Sequence, residues 1–177
     1  IKCPMNSLIK NSIRFILFLL IQVVVLKEIP PIHQFITPYL YFLFILWLPF
    51  GISRLSITFL GFLIGFVLDL FSNTPGLHAA ACGLMAYVRP SILNLLLAQE
   101  ASEEVNKEPS IGTMGWGPYL FYVFVLTFIH HFYLVLLEWL QFGSFGYFLG
   151  KVIATSTMSV ILIFLVELIM NRRKLKR

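Results

Sequence analysis

The sequence predicts an all-α polytopic membrane protein of about six transmembrane helices, and three observations carry that prediction. First, the 177 residues are 59% hydrophobic and only 12% charged, about half the charged share of a soluble domain. Second, mean hydropathy is +0.89, which excludes an ordinary soluble class. Third, runs such as FILFLLIQVVVL and ISRLSITFLGFLIGFVLDLF are continuously apolar. Strands of a membrane barrel would alternate polar and apolar residues. Helices, which satisfy their own backbone groups in lipid, fit instead.

Each element follows from the apolar runs, given that a span takes about 20 residues at 1.5 Å rise. The first is expected over Ile13–Leu26. Lys10 and Arg14 precede it as in a signal sequence, but no small-residue cleavage pattern follows. An uncleaved helix is therefore expected, with Met5 a candidate initiator. Lys27, Glu28, Pro30, Pro31 and His33 make a short external link. The second span is expected over Pro38–Phe50, short for its task and bounded by Pro49 and Gly51. The third covers Arg54–Ser72 and the fourth Pro75–Leu97, joined by the turn Asn73-Thr74-Pro75-Gly76. Residues 98–117 hold charge, Pro and Gly without apolar period, and read as a polar cytoplasmic loop. The fifth span is expected over Pro118–Glu138 and the sixth over Phe148–Met170. Residues 171–177, NRRKLKR, form a basic cytoplasmic tail. With no repeat and no second composition, residues 1–177 read as one transmembrane domain.

Orientation follows from lysine and arginine. With an even number of spans and both termini cytoplasmic, only Lys27 and Lys151 of the 13 basic residues fall outside. The net charge of +5 then reflects topology and an affinity for the anionic surface of the lipid bilayer, with no nucleic acid implied. Cys3 and Cys82 are too few for a disulfide framework. Tyr39, Tyr41, Trp47, Trp116, Tyr119 and Trp139 fall at expected span ends and read as interfacial anchors.

The most informative stretch is GFVLDLFSNTPGLH, from Gly65 to His78. Gly61, Gly65 and Asp69 recur every four residues and share one helical stripe, which Ser72 continues. Glycines at that spacing let another helix backbone approach closely. The fourth span offers Ala79 and Gly83 at the same spacing. A tight hairpin of the third and fourth spans follows, with Asp69 facing protein near the external rim. Its carboxylate sits at a helix C-terminus, where the macrodipole disfavours an anion. The first free amides of the next helix, around Gly76 to His78, can offset that, with Thr74 as cap and Pro75 in the first helical position. Asp69 either locks this turn or meets a charge on a partner or ligand.

Other polar residues are less specific. His130 and His131 are neighbours and point about 100° apart on a helix, so no metal site is expected, and His78 stands alone one turn into its span. Glu138 and Glu167 are expected to reach the headgroups, Glu167 near Asn171 and Arg172. Gln22 is expected to bond a neighbouring helix. No Gly-x-Ser-x-Gly, His-Glu-x-x-His or Gly-Lys-Ser occurs, so no catalytic set and no cofactor are expected.

Residues 61–72, GFLIGFVLDLFS, followed by Pro75-Gly76, resemble MreD, the membrane component of the bacterial rod-shape machinery. Ala79-Ala80-Ala81 and Tyr87-Val88-Arg89-Pro90 look similar to its Bacteroidota-type members. Pro75-Gly76-Leu77 replaces the commoner Leu-Gly order, and the polar loop is long. The resemblance implies a non-enzymatic inner-membrane protein that binds MreC and helps couple MreB filaments to RodA and its penicillin-binding transpeptidase. It also implies a fold similar to the S components of energy-coupling-factor transporters. An S-component-like binding subunit, with Asp69, His78, His130 and Trp139 lining a pocket, is the alternative.

Overall fold

A computed structural model describes residues 5–26, 37–97, 107–140 and 144–174, with side chains from 9 to 169 within those ranges. Seven helices are described: α1 (Met5–Leu20), α2 (Leu43–Leu46), α3 (Arg54–Ser72), α4 (Leu77–Leu96), α5 (Ile111–Met114), α6 (Trp116–Trp139) and α7 (Phe145–Lys174). Among the described residues, five helical stretches are long and apolar enough to cross a membrane: Ile9–Leu26, Arg54–Ser72, Leu77–Leu96, Trp116–Trp139 and Phe145–Ile169. The chain is thus an all-α, multi-pass membrane protein by length and composition.

Helix boundaries follow local chemistry. Ser53 caps α3 by accepting a hydrogen bond from the Ser56 amide at 3.2 Å. Asn73 ends it in the left-handed conformation, φ 55°, which Asn tolerates better than most residues. Gly76 has φ 83° and ψ −8°, the values a type II turn requires after proline. The Pro75-Gly76 pair therefore makes the turn, and α4 starts at Leu77 rather than at Pro75 as the sequence suggested. α7 continues through Lys174, so the first residues of the expected tail are helical.

The contacts define two ends of the bundle. At one, Arg14 of α1 lies over the Trp47 ring at 5.5 Å, and Trp47 donates to Glu167 of α7 at 3.3 Å. Arg54 at the start of α3 donates to Ser91 late in α4 at 2.9 Å. At the other end lie Asp69, His78 and the Glu138–Lys151 ion pair between α6 and α7. The N-terminal half of α1 and the C-terminal part of α7 therefore share an end.

The expected second span is not a spanning helix. Residues 38–50 hold only the single-turn α2, yet they run from the Asp69 end to the Arg14 end. Gln22 fixes their start by bonding Pro38 and Leu40, and Phe50 fixes their finish by donating to the Lys107 carbonyl at 3.0 Å. Tyr41, Phe42, Leu43, Ile45 and Leu46 are fully buried. Irregular backbone at membrane depth is tolerated only inside protein, and this segment is the centre of the bundle. It is apolar because the other helices enclose it, not because lipid does.

Candidate functional site

The glycine stripe builds the seam between α3 and α4. A Cβ placed on Gly61 would lie 2.6 Å from the Ala86 Cβ and 2.8 Å from the Cys82 carbonyl oxygen. On Gly65 it would lie 2.6 Å from the Ala79 Cα, with the His78 carbonyl closer still. Both glycines thus allow backbone-to-backbone contact. Ala79 meets the stripe as expected. Gly83 does not: a Cβ there meets nothing within 4 Å. Cys82 and Ala86 occupy the contact instead, because the touching face of α4 advances by three and then four residues from Ala79.

Asp69 closes the seam at the rim and is buried. Its Oδ1 accepts from the Thr74 hydroxyl at 2.9 Å and the His78 amide at 3.0 Å, and its Oδ2 accepts from the Ala79 amide at 2.9 Å. Its main-chain oxygen accepts from the Asn73 and Thr74 amides. The carboxylate therefore saturates the free donors that open α4. Thr74 serves Asp69 rather than capping the helix. Ser72 is half-buried at the last position of α3, beside these bonds but outside them. Pro75 and Gly76 are exposed.

Behind Asp69, His78 and His130 come together as the pocket alternative grouped them, joined by Tyr41, which the sequence placed at a span end. The Tyr41 hydroxyl is 2.8 Å from both His78 Nδ1 and His130 Nε2. A phenol carries one proton, so Tyr41 donates to one imidazole and accepts from the other. Phe42 stacks on the His130 ring at 4.6 Å, and Tyr39 packs edge-on to His78 at 5.4 Å. His131 Nδ1 is 2.8 Å from the Thr127 carbonyl. A carbonyl only accepts, so Nδ1 carries the proton and Nε2 accepts from the Ser159 hydroxyl at 3.0 Å. The adjacent histidines thus serve different partners, and no group of metal-binding side chains converges among the described residues. Trp139, also expected near a pocket, packs on Phe148 instead at 5.7 Å.

A second polar cluster sits nearer the Arg14 end. Arg89, expected on a cytoplasmic surface, is 1% exposed. Its Nε donates to the Tyr122 hydroxyl at 2.7 Å, and its Nη2 donates to the main-chain oxygens of Leu46 and Leu48. Tyr122 in turn donates to the Leu46 oxygen at 2.8 Å. Leu46 and Leu48 belong to the irregular segment and lack the carbonyl partners a long helix would supply. Gln22 does the same service at the other end of that segment, donating to the Pro38 oxygen at 3.1 Å and accepting from the Leu40 amide at 2.8 Å. It sits in a π-helical turn, Ile21–Leu26, that extends α1. Gln22 therefore bonds main chain of an irregular segment, not a neighbouring helix.

Several expected surface groups are interior. Tyr39, Tyr41, Trp47 and Tyr119 are buried, and of the expected anchors Trp116 is the exposed one at 63%. Glu167 accepts from Tyr119 and Trp47 rather than reaching the headgroups. Glu138 pairs with Lys151. Glu108, ahead of α5, accepts from Arg14 at 2.7 and 3.0 Å and from Lys10 at 2.8 Å. Partial burial pushes its carboxyl pKa up, but the bonds from Arg14 and Lys10 outweigh that and hold it below the usual 4.5. His33 and residues 98–106 fall outside the described residues. Comparison with family models, curated proteins and solved structures returns no match.

Proposed function

We propose that this chain is a non-enzymatic scaffold of the MreD kind. It would sit in the bacterial inner membrane with both termini cytoplasmic, bind MreC, and help couple MreB filaments to RodA and its penicillin-binding transpeptidase. One observation carries the reading: the motif that resembles MreD is spent on architecture. Gly61 and Gly65 are covered by α4 backbone, and every described bond of the Asp69 carboxylate goes to the next turn. An acid so engaged positions a rigid hairpin whose exposed tip residues, Asn73, Pro75 and Gly76, are available to a partner. The gathering of Lys10, Arg14 and Arg54 at one end, with α7 running there toward its basic residues, supports the orientation. The test is co-purification with MreC together with cell shape. In a rod-shaped host, depletion is expected to round or swell the cells. Normal morphology after clean deletion, with no MreC bound, rejects the reading.

A small-molecule-binding subunit similar to an S component is the second reading. The buried His78–Tyr41–His130 group favours it, since ligand sites combine apolar walls with a few placed polar atoms. Such a protein retains a small molecule through purification and brings down a partner ATPase module. Native mass spectrometry and a pull-down that find neither reject it.

A further inference from the structure

Buried polar atoms in folded proteins nearly always have partners. Helical hydroxyls commonly find one in their own preceding turn, and this chain shows the habit. Thr58 donates to the Arg54 oxygen at 2.7 Å, Thr155 to Lys151 at 2.6 Å and Thr157 to Ile153 at 2.8 Å. Thr127 does not. It is fully buried, and its Oγ1 has no partner among the described residues. The same holds for His130 Nδ1, which is also fully buried.

These two atoms belong to residues three apart on α6. At that spacing side chains share a face, with Cβ atoms about 5–6 Å apart. One small molecule can reach both. The surroundings define its chemistry. Phe42 covers the His130 ring, the side chains bonded nearby are Tyr41, His78, His131 and Ser159, and the carboxylate beyond them, Asp69, is engaged by Thr74 and the His78 and Ala79 amides. A bare ion would lack a free counter-charge. A neutral species that both donates and accepts fits either imidazole tautomer.

We propose that a water molecule binds between His130 Nδ1 and Thr127 Oγ1. It joins two networks that are otherwise separate. One runs from the Asp69 turn through His78 and Tyr41 to His130. The other holds His131 between the Thr127 carbonyl and Ser159 of α7. Bridged, the two networks meet on Thr127, and through the residues they share they tie together α3, α4, the irregular segment, α6 and α7. This does not depend on which functional reading holds.

The test uses the sign of a stability change in the purified full chain. Thr127→Val keeps the shape and removes the hydroxyl. If the hydroxyl holds water, the variant melts lower, by about 2 °C or more, and Thr127→Ser restores the wild-type value. If the hydroxyl is an orphan in an apolar wall, removing it is neutral or stabilising, and an unchanged or raised melting temperature overturns the proposal. Should Thr127→Val fail to fold, a density map of the wild type decides. At a resolution that shows other buried waters, density within hydrogen-bond reach of both atoms supports the site, and none there overturns it.

Discussion

Gly65→Ala is the substitution that most directly probes the α3–α4 seam. The added Cβ would lie 2.6 Å from the Ala79 Cα and closer still to the His78 oxygen, whereas ordinary contact begins near 3.4 Å, so the two backbones must part by at least about 0.8 Å. Asp69 is one turn further along α3, and its acceptors reach the amides of His78 and Ala79, the same stretch of α4. Parting by that amount takes bonds of 3.0 and 2.9 Å to about 3.8 and 3.7 Å, outside hydrogen-bonding range. Overpacking costs about 1–3 kcal/mol, and a weakened bond to a charged acceptor about 1.5–3 kcal/mol. The helix preference of alanine over glycine returns about 1 kcal/mol. A net loss of about 1.5–5 kcal/mol follows from these ranges, on the order of 10 °C in melting temperature for a chain of this size. Gly83→Ala is the control, because nothing lies within 4 Å of its Cβ position. It should gain up to about 1 kcal/mol from helix preference alone. Thermal unfolding followed by intrinsic tryptophan fluorescence in one detergent reads both. Shifts of the same sign and size in the two variants would refute the seam as the reason for the glycines.

Asp69→Asn should destabilise by about 1–3 kcal/mol, since an amide cannot accept from two main-chain donors with both of its heads. Combined with Gly65→Ala, the loss should be smaller than the sum, which a double-mutant cycle checks. In the scaffold reading, the folded Asp69→Asn protein still captures MreC in a pull-down, and loss of capture without loss of stability would assign the charge to the partner. Arg89→Met should cost about 3 kcal/mol or more by leaving the Leu46 and Leu48 oxygens without their donor. Arg89→Lys should recover little, because an ammonium lacks the fork that serves Tyr122 and the carbonyls together, and equal stability of Arg89→Lys and wild type in chemical denaturation would contradict that. Glu108 has a lowered pKa, so the folded state binds fewer protons there than the unfolded state. Its stabilisation is full above the ordinary value of 4.5 and is lost as pH falls below it toward the folded pKa. Melting curves of wild type and Glu108→Gln should therefore converge as pH is lowered through that window, and parallel curves would argue against the clamp.

The sequence and the structure agree where one backbone period sets the contact and diverge where enclosure does. The Gly61-Gly65-Asp69 stripe was legible because each turn of one helix repeats the same demand. Its counterpart on α4 was half legible. Ala79 was found, but Gly83 drew attention as a glycine while Cys82 and Ala86 made the contact, being small enough and on the right face. His78 and His130 were grouped in the pocket alternative, but Tyr41, which joins them, was not, since it lies 37 and 89 residues from them. A pairwise spacing rule within one helix has no means to join them.

Residues 38–50 show why composition alone misleads. An apolar run enclosed by helices and one facing lipid have the same hydropathy, because both environments exclude water. Length separates them: this run is too short to span as a helix yet reaches across as irregular chain, which rises further per residue. Among the described residues five helical stretches are long enough to span, where six were expected, and residues 38–50 are the run that does not form one. That choice creates a debt in hydrogen bonds, because main-chain groups without helical partners must be met by something else. Arg89, Tyr122 and Gln22 meet it. A buried arginine without a carboxylate is then explained by the carbonyls it serves, and its apparent place among the surface charges was an artefact of reading charge before backbone. The same accounting points to Thr127 and His130, two buried polar groups of α6 without a partner among the described residues.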